Sequence, residues 1–156
     1  MNITIEQAQP ANLETILKLL PRLASFDVPV NRNPDHLWQG DAELFRDWAA
    51  GNRLDVHVRV AIAAEQIVGV AMVSFRKELL SSEPSAHLEV LVVDKSAEGQ
   101  GVASALMDDI EKYSANKGAK WMSLHVFANN TRARAVYERH GFEGELLRYS
   151  KQLVKI

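Results

Sequence analysis

The segment from residue 87 to residue 127 constrains the fold of this chain more than any other. An apolar stretch at 87–94 runs into a turn that contains glycine, a helix with an apolar stripe follows, and a second apolar stretch occupies 121–127. A strand, a helix and a strand in this order pair in parallel within one sheet. The segment therefore predicts a βαβ unit with parallel pairing between the strands 87–94 and 121–127.

Two further strands precede this unit. Apolar and polar residues alternate from 54 to 62, which is typical of a strand with one buried face. A turn at 64–66 leads into the stretch 67–75, which is apolar at both odd and even positions and should therefore be a central strand covered on both faces. Because a hairpin joins the two strands, they should pair antiparallel.

The remaining elements flank these strands. A strand at 3–8 leads into a helix that Pro21 should end or kink, and a second helix is predicted from about 34 to 50. Asn130 caps a short helix, and residues 144–155 are predicted as a final strand or hairpin. The order β-α-α-β-β-β-α-β-α-β predicts an α/β fold with a central mixed, mostly antiparallel sheet flanked by about four helices.

Composition excludes several classes of protein. The 156 residues fit a single domain over 1–156. The chain has no cysteine, which excludes disulfides, thiolate metal sites and a cysteine nucleophile. A net charge of -2 argues against a nucleic-acid partner. Because no apolar run approaches the roughly 18 residues of a membrane span and no signal-peptide pattern is present, we expect a cytoplasmic protein with no membrane partner.

The charge is unevenly distributed along the chain. Residues 27–55 contain six acidic and three basic side chains, whereas residues 121–156 contain six basic and three acidic ones. An anionic ligand would therefore be better placed near the C-terminal third. Chance scatter of surface charge explains the same counts.

The turn after Asp94 has the residues that anion binding requires. Gly99 and Gly101 allow the backbone to approach a bulky anion, and Ala103 keeps the first helical turn free of bulk. Backbone N–H groups and the helix dipole add positive potential there, which suits a pyrophosphate. Many such turns are only tight strand–helix connections, and neither the Walker loop nor the dinucleotide fingerprint fits this glycine spacing.

Two motifs occur on either side of the strand 121–127. Glu98, Gly101 and Ala103 occupy the positions of a loop that reads Arg/Gln-x-x-Gly-x-Gly/Ala. A second motif, roughly Asn-x-x-Ala-x-x-x-Tyr-x-x-x-Gly-Phe, is matched by Asn130, Ala133, Tyr137, Gly141 and Phe142. Together these motifs resemble those of the GNAT superfamily of N-acetyltransferases. The resemblance implies a GNAT-like fold with a V-shaped gap between the two parallel strands, acetyl-CoA as co-substrate, and no metal.

By this resemblance, acetyl-CoA would lie along the strand 87–94 and over the glycine loop. Its pantetheine amides would pair with the strand edge, where a backbone N–H would polarise the thioester carbonyl. The implied cofactor-binding positions are Leu91, Val92, Val93, Glu98, Gly99, Gln100, Gly101, Val102, Ala103, Ser104, Asn130, Ala133 and Tyr137. Leu91 and Val93 would also pack in the core.

Position 98 departs from the family pattern, because Glu98 stands where the family favours Arg or Gln. A carboxylate there should repel the pyrophosphate, and Lys95 is expected to offset its charge. Two interpretations are open for three arginines of the C-terminal third. They would meet the 3′-phosphate of CoA or be solvated surface residues; they are Arg132, Arg134 and Arg139.

The same resemblance implies the catalytic residues. Tyr137 would protonate the departing CoA thiolate, the alternative being a tyrosine that only packs in the core. Glu89 matches the family's frequent general-base position and ranks before His125 and His87, because a lone strand histidine is more often structural. Since no cysteine can carry the acetyl group, direct transfer within a ternary complex is favoured.

The leading hypothesis is an acetyl-CoA-dependent N-acetyltransferase that acts on a primary amine of a small molecule or a protein. A non-catalytic CoA-binding sensor or interaction module is the alternative, and a nucleotide-binding α/β domain is a more distant one. Residues 25–50 and 142–150 should determine the acceptor. The candidate wall residues are Trp38, Asp41, Phe45 and Trp48, of which Phe45 and Trp48 also fit a helix core. Dimers are common in the family, so a homodimer is one expected state.

Overall fold

Five strands lie side by side in the order of the chain. The structure, a computed structural model, describes residues 2–154. The strands are β1 (Thr4–Gln7), β2 (Val56–Ala63), β3 (Gln66–Lys77), β4 (Pro84–Val93) and β5 (Trp121–Leu124). Neighbours pair antiparallel from β1 to β4, and β4 and β5 pair in parallel. The predicted mixed sheet, its central strand β3 and its parallel pair are confirmed.

Helices cover both faces of the sheet. They are α1 (Leu13–Leu19), α2 (His36–Ala49), α3 (Val102–Asn116) and α4 (Thr131–Arg139). The prediction for Pro21 is confirmed, since α1 ends at Leu19 and a 3-10 turn, Leu20–Ala24, follows. No helix within residues 2–154 is long and apolar enough to cross a membrane. The cytoplasmic location and the homodimer stay predictions.

Two apolar clusters hold the layers together, one on each face of the sheet. Ile16 and Phe45 bring α1 and α2 onto one face, while Leu106 and Ile110 bring α3 onto the other. Gly69 on β3 makes the close approach of α3 possible, because a Cβ at this position would lie 2.9 Å from Val102 Cγ1. The first turn of α3 is thereby seated directly on the sheet.

Within residues 2–154, no strand pairs with the outer edge of β4 near its C-terminal end. Pairing with β5 ends at Leu88 and Leu124, so the predicted V-shaped gap opens from Glu89 onward. Glu89 is also a bulge, since Met72 lies opposite Val90 and Val73 lies opposite Leu88. A bulge adds one residue to one strand and changes which face the following side chains occupy. As a result, Val90 joins the α1–α2 cluster, while Leu91 packs on the α3 side.

The prediction of a strand or hairpin at 144–155 is wrong for residues 144–154, the part of this range that the structure describes. Residues 144–154 have no regular secondary structure, and Lys155 lies outside the described residues. Leu146, Leu147 and Tyr149 are exposed. Within the described chain no backbone hydrogen bond joins this segment to another strand, and a strand requires such a partner.

Candidate active site

The glycine loop connects β4 to α3 through a tight, defined path. Asp94 N donates to Val68 O at 2.8 Å, and the Asp94 carboxylate accepts from Ser96 N at 3.1 Å. Gly99 and Gly101 have φ angles of 73° and 82°, in the left-handed region that favours glycine.

The N-terminus of α3 is open to an anion. No side chain of the described residues caps the helix at Gly101, in contrast to α4, where Asn130 Oδ1 accepts from Ala133 N at 3.3 Å. Apart from each glycine and its chain neighbours, no atom of the described residues lies within 4 Å of the position that a Cβ would take at Gly99 or Gly101. Free N–H groups, a positive helix end and open space together fit a phosphate group.

Glu98 is not left as an isolated charge in this loop. Its carboxylate is hydrogen-bonded to Arg22 Nη2, and Arg132 Nη1 lies 3.7 Å from the same oxygen. Arg22 Nε also donates to Val93 O at 2.7 Å. The expectation that Lys95 would offset Glu98 is therefore replaced by these two arginines. Sequence reasoning missed Arg22, because a residue 76 positions away from Glu98 carries no local signal of this contact.

The side chains of the free β4 edge and of α4 meet on the α3 side of the sheet. Leu91, Val93 and Tyr137 all pack against the cluster that α3 covers. The Tyr137 ring is half-buried and meets Phe142 nearly edge-on, with ring centroids 6.1 Å apart. Burial raises the pKa of the Tyr137 phenol above its usual value. A phenol in this state remains protonated at neutral pH and can donate a proton.

The predicted residues around the loop come together in space. Val102, Ala103 and Ser104 form the first turn of α3, and Ser104 Oγ lies 3.3 Å from His140 Nε2 at the end of α4. Arg132 is exposed and turns toward Glu98. Gln100 donates from Nε2 to Ser96 O at 3.3 Å, within the loop. The α3 and α4 motifs therefore border one surface.

A polar cluster lies on the opposite face of the β4 edge, toward α2. Glu89 Oε1 accepts from Ser74 Oγ at 2.7 Å and from Arg76 Nη2 at 2.6 Å. His87 Nδ1 lies 2.8 Å from Ser123 Oγ on β5, and its ring centroid is 4.8 Å from that of His125. The predicted base candidates thus converge around the start of the gap, and the bulge at Glu89 aims its carboxylate into this cluster.

Two groups in this cluster have shifted pKa values. Burial, with a further contribution from the charge of Glu89, raises the pKa of Asp41 on α2 to about 7. Burial and the nearby Arg76 lower the pKa of His87. His87 is therefore a neutral imidazole at physiological pH, able to accept or donate a hydrogen bond.

The predicted wall residues on α2 divide into two groups. Phe45 is fully buried and Trp48 meets it edge-on at 6.5 Å, so both belong to the helix core. Trp38 also packs in part against this core. Asp41 is the wall candidate whose carboxyl senses the charge of Glu89. The acidic group on α2, rather than its aromatic residues, therefore faces the site.

Other features lie away from the glycine loop. Two surface pockets of about 230 and 380 Å³ both border Leu54 and His57 near the start of β2. Asp108, Glu111 and His140 bring possible metal-ligand atoms within 4.8 Å of one another. Exposed acidic groups often cluster in this way without a bound ion, so this cluster by itself does not indicate a metal site. The expectation that the protein uses no metal stays a prediction.

Comparison with known proteins agrees with this geometry. Residues 19–142 match the family model described as "Acetyltransferase (GNAT) family". The chain is 29% identical over 115 residues to an aminoalkylphosphonate N-acetyltransferase of Salmonella typhimurium, covering 72% of this chain and 75% of that protein. It is 30% identical over 116 residues to an aminoglycoside N(6′)-acetyltransferase type 1 of the same organism, covering 71% of this chain and 75% of that one.

Solved structures share the fold over nearly the whole chain. A structure described as a candidate acetyl transferase from Pyrococcus furiosus has a TM-score of 0.80 at 23% identity, with 97% of this chain and 100% of that chain covered. The aminoglycoside acetyltransferase AAC(6′)-Iy, in complex with a CoA-containing bisubstrate analogue, has a TM-score of 0.70 at 25% identity, with 97% and 99% covered. The chain therefore belongs to the GNAT family of acetyltransferases.

Proposed function

We propose that this protein is an acetyl-CoA-dependent N-acetyltransferase that moves an acetyl group directly to a primary amine of a small molecule. The observation that carries the proposal is the unpaired edge of β4. This edge begins at Glu89 and leads directly into a glycine loop whose helix N-terminus is uncapped. An elongated ligand with an anionic end fits such a path.

The donor would be held by backbone groups at both ends of this path. The edge at Leu91, Val92 and Val93 would pair with the pantetheine amides through backbone groups, as in strand addition, and of these groups Val93 O already accepts from Arg22 Nε. The pyrophosphate would meet the N–H groups of the loop 98–104. Asn130 and Ala133, at the start of α4, would line the same cofactor path, and two solved relatives contain CoA or a CoA analogue.

The reaction requires a base and an acid on opposite sides of the reacting carbon. Glu89 would accept the proton that the ammonium group of the acceptor must lose, directly or through water. The neutral amine nitrogen then forms a bond to the acetyl carbon, the bond from carbon to sulfur breaks, and the nitrogen gives up its second proton to solvent, from which the Tyr137 phenol is restored. Tyr137 would give its proton to the leaving thiolate. A backbone N–H of the β4 edge would stabilise the negative charge on the carbonyl oxygen.

A cationic amine is the acceptor class that the charges support best. Asp41 and Glu89 place two carboxyl groups on the α2 side of the gap, with Arg76 paired to one of them. Two relatives carry names that specify an aminoglycoside and an aminoalkylphosphonate as acceptors, and both classes contain a primary amine. We therefore propose a small molecule rather than a protein as the first acceptor to test.

The deciding experiment measures release of free thiol from acetyl-CoA in the presence of a panel of amines. Because the chain has no cysteine, the protein adds no thiol of its own to the assay. We expect amine-dependent thiol release with at least one aminoglycoside or aminoalkylphosphonate. Binding of CoA without release for any amine would favour the sensor or interaction module. Thermal stabilisation by ATP or NAD and none by CoA would overturn the proposal.

A further inference from the structure

Arg22 makes an unusual set of contacts for a residue in a short connecting turn. It lies in the 3-10 turn Leu20–Ala24, directly after Pro21, and reaches across to the opposite end of the gap. Its Nε donates to Val93 O at 2.7 Å, and its Nη2 is bonded to Glu98. One side chain therefore connects the N-terminal helices, the last residue of β4 and the glycine loop.

These contacts fix the guanidinium and leave part of it available. A guanidinium has five N–H donors in a planar fork, and Arg22 uses two of them on Val93 and Glu98. Its side chain is 23% exposed and that of Glu98 is 34% exposed, so the pair is only partly screened by water. The remaining donors lie beside a loop whose helix N-terminus is uncapped.

The charge balance of the loop explains why such a residue is required. Glu98 by itself would place a negative charge next to the site proposed for a pyrophosphate and would repel it. With Arg22 bonded to it, the pair is close to neutral, and the free edge of the guanidinium still presents N–H groups. The acidic residue then serves to hold the arginine, because a paired guanidinium keeps its orientation and forms bidentate contacts to phosphate readily.

We propose that Arg22 is a pyrophosphate-binding residue of this chain, and that Glu98 and the carbonyl of Val93 hold it in place. This inference rests on the proposed function, since it assumes that the ligand of the loop is CoA. Arg22 lies in the N-terminal segment of the chain. It supplies the positive charge that Glu98 does not provide at position 98 of the loop.

The test measures binding of dephospho-CoA by calorimetry, because this probe keeps the pyrophosphate and lacks the 3′-phosphate that other arginines could meet. Arg22→Met should weaken binding by about 10-fold or more, the size expected for hydrogen bonds to a charged group. Arg22→Lys keeps the charge without the forked donors, so it should lose less. Arg53→Met removes an arginine from an exposed ion pair with Asp55 and serves as the matched control, with binding unchanged within about twofold.

Glu98 separates a binding role from a purely structural one. Arg22→Met leaves the Glu98 carboxylate without its hydrogen-bonded arginine beside the pyrophosphate, so adding Glu98→Gln to this variant should restore binding several-fold. In the wild-type protein the same change removes a repelling charge and also weakens the contact that holds Arg22. These two effects oppose each other, so the affinity should change by less than about twofold. If Arg22 only anchors its turn to Val93, the double variant recovers nothing, and the inference is overturned. Melting temperatures of all variants show whether the fold is kept, and Arg22→Lys remains available if Arg22→Met unfolds.

Failure of the inference and failure of the proposed function give different results. Wild-type protein that binds neither CoA nor dephospho-CoA would refute the proposed function and the inference with it. Wild-type protein that binds both, together with a folded Arg22→Met protein of equal affinity, would refute the role of Arg22 alone.

Discussion

Replacing Tyr137 with phenylalanine should separate catalysis from binding. The change removes one oxygen and keeps the ring, so the edge-on contact with Phe142 and the packing against the α3 cluster are retained. CoA affinity should therefore stay within about twofold, and the free energy of unfolding should change by less than about 1 kcal/mol.

The expected loss of turnover follows from the state of the phenol. Because burial raises the pKa of Tyr137, the group is fully protonated at pH 7 to 8 and available as an acid in every molecule. A positioned general acid contributes about 10²–10⁴-fold, which corresponds to about 2.7–5.5 kcal/mol of transition-state stabilisation. We expect kcat for acetyl transfer to fall by at least about 100-fold in Tyr137→Phe.

The chain provides a matched control in Tyr113 on α3. Its hydroxyl lies 2.6 Å from His57 Nδ1, and burial raises the pKa of this phenol too, but it lies outside the gap. Tyr113→Phe should lose about 1 kcal/mol of stability through the missing hydrogen bond and keep its turnover. Thiol release under saturating acetyl-CoA and amine measures kcat, and calorimetry measures CoA binding. Turnover of Tyr137→Phe within about twofold of wild type, or an equal loss in both variants, would refute the role of Tyr137 as the acid.

Three further changes test other parts of the structure. Glu89→Gln should lower kcat by about 100-fold, and turnover within about twofold of wild type would transfer the role of base to His87 or His125. Gly69→Ala should cost about 1–3 kcal/mol in urea unfolding, because the added methyl group would lie 2.9 Å from Val102 Cγ1; an unchanged midpoint would contradict the close packing of α3. Asp41 has a raised folded-state pKa of about 7, so it favours folding below pH 4 and loses this contribution as the pH rises toward 7. Asp41→Asn should therefore gain about 1–2 kcal/mol of stability relative to wild type between pH 4 and pH 8, less than full linkage because of solvent screening, and a difference independent of pH would show that Asp41 titrates normally.

The parts of this fold that were predictable from sequence are the parts set by nearby residues. The βαβ unit follows from two apolar stretches and one helix of fixed length, and the glycine loop follows from Gly99 and Gly101 themselves. Their left-handed φ angles are a local property of the turn. The common face of His87 and Glu89 also follows from strand alternation.

Contacts between distant segments were not predictable. The bulge at Glu89 depends on how β4 meets β3, and its effect is to put Leu91 and Val93 on the α3 side, although simple alternation would put them on the face of Glu89. Arg22 meets Glu98 only because the turn after α1 lies beside the end of β4. For the segment 144–154, the sequence predicted a strand that the structure lacks. Its residues suit a strand, but no other segment of the described chain pairs with it.

The point at which β5 stops pairing with β4 sets the depth of the gap between these strands. Pairing ends at Leu88 and Leu124, and a strand advances about 3.3 Å per residue. Adding or removing one β4–β5 residue pair would move the point where the gap begins by the rise of one residue along the strand. The backbone ladder therefore sets the depth of the gap in steps of fixed size, and the loss of one or two residue pairs would deepen it without any change in the glycine loop.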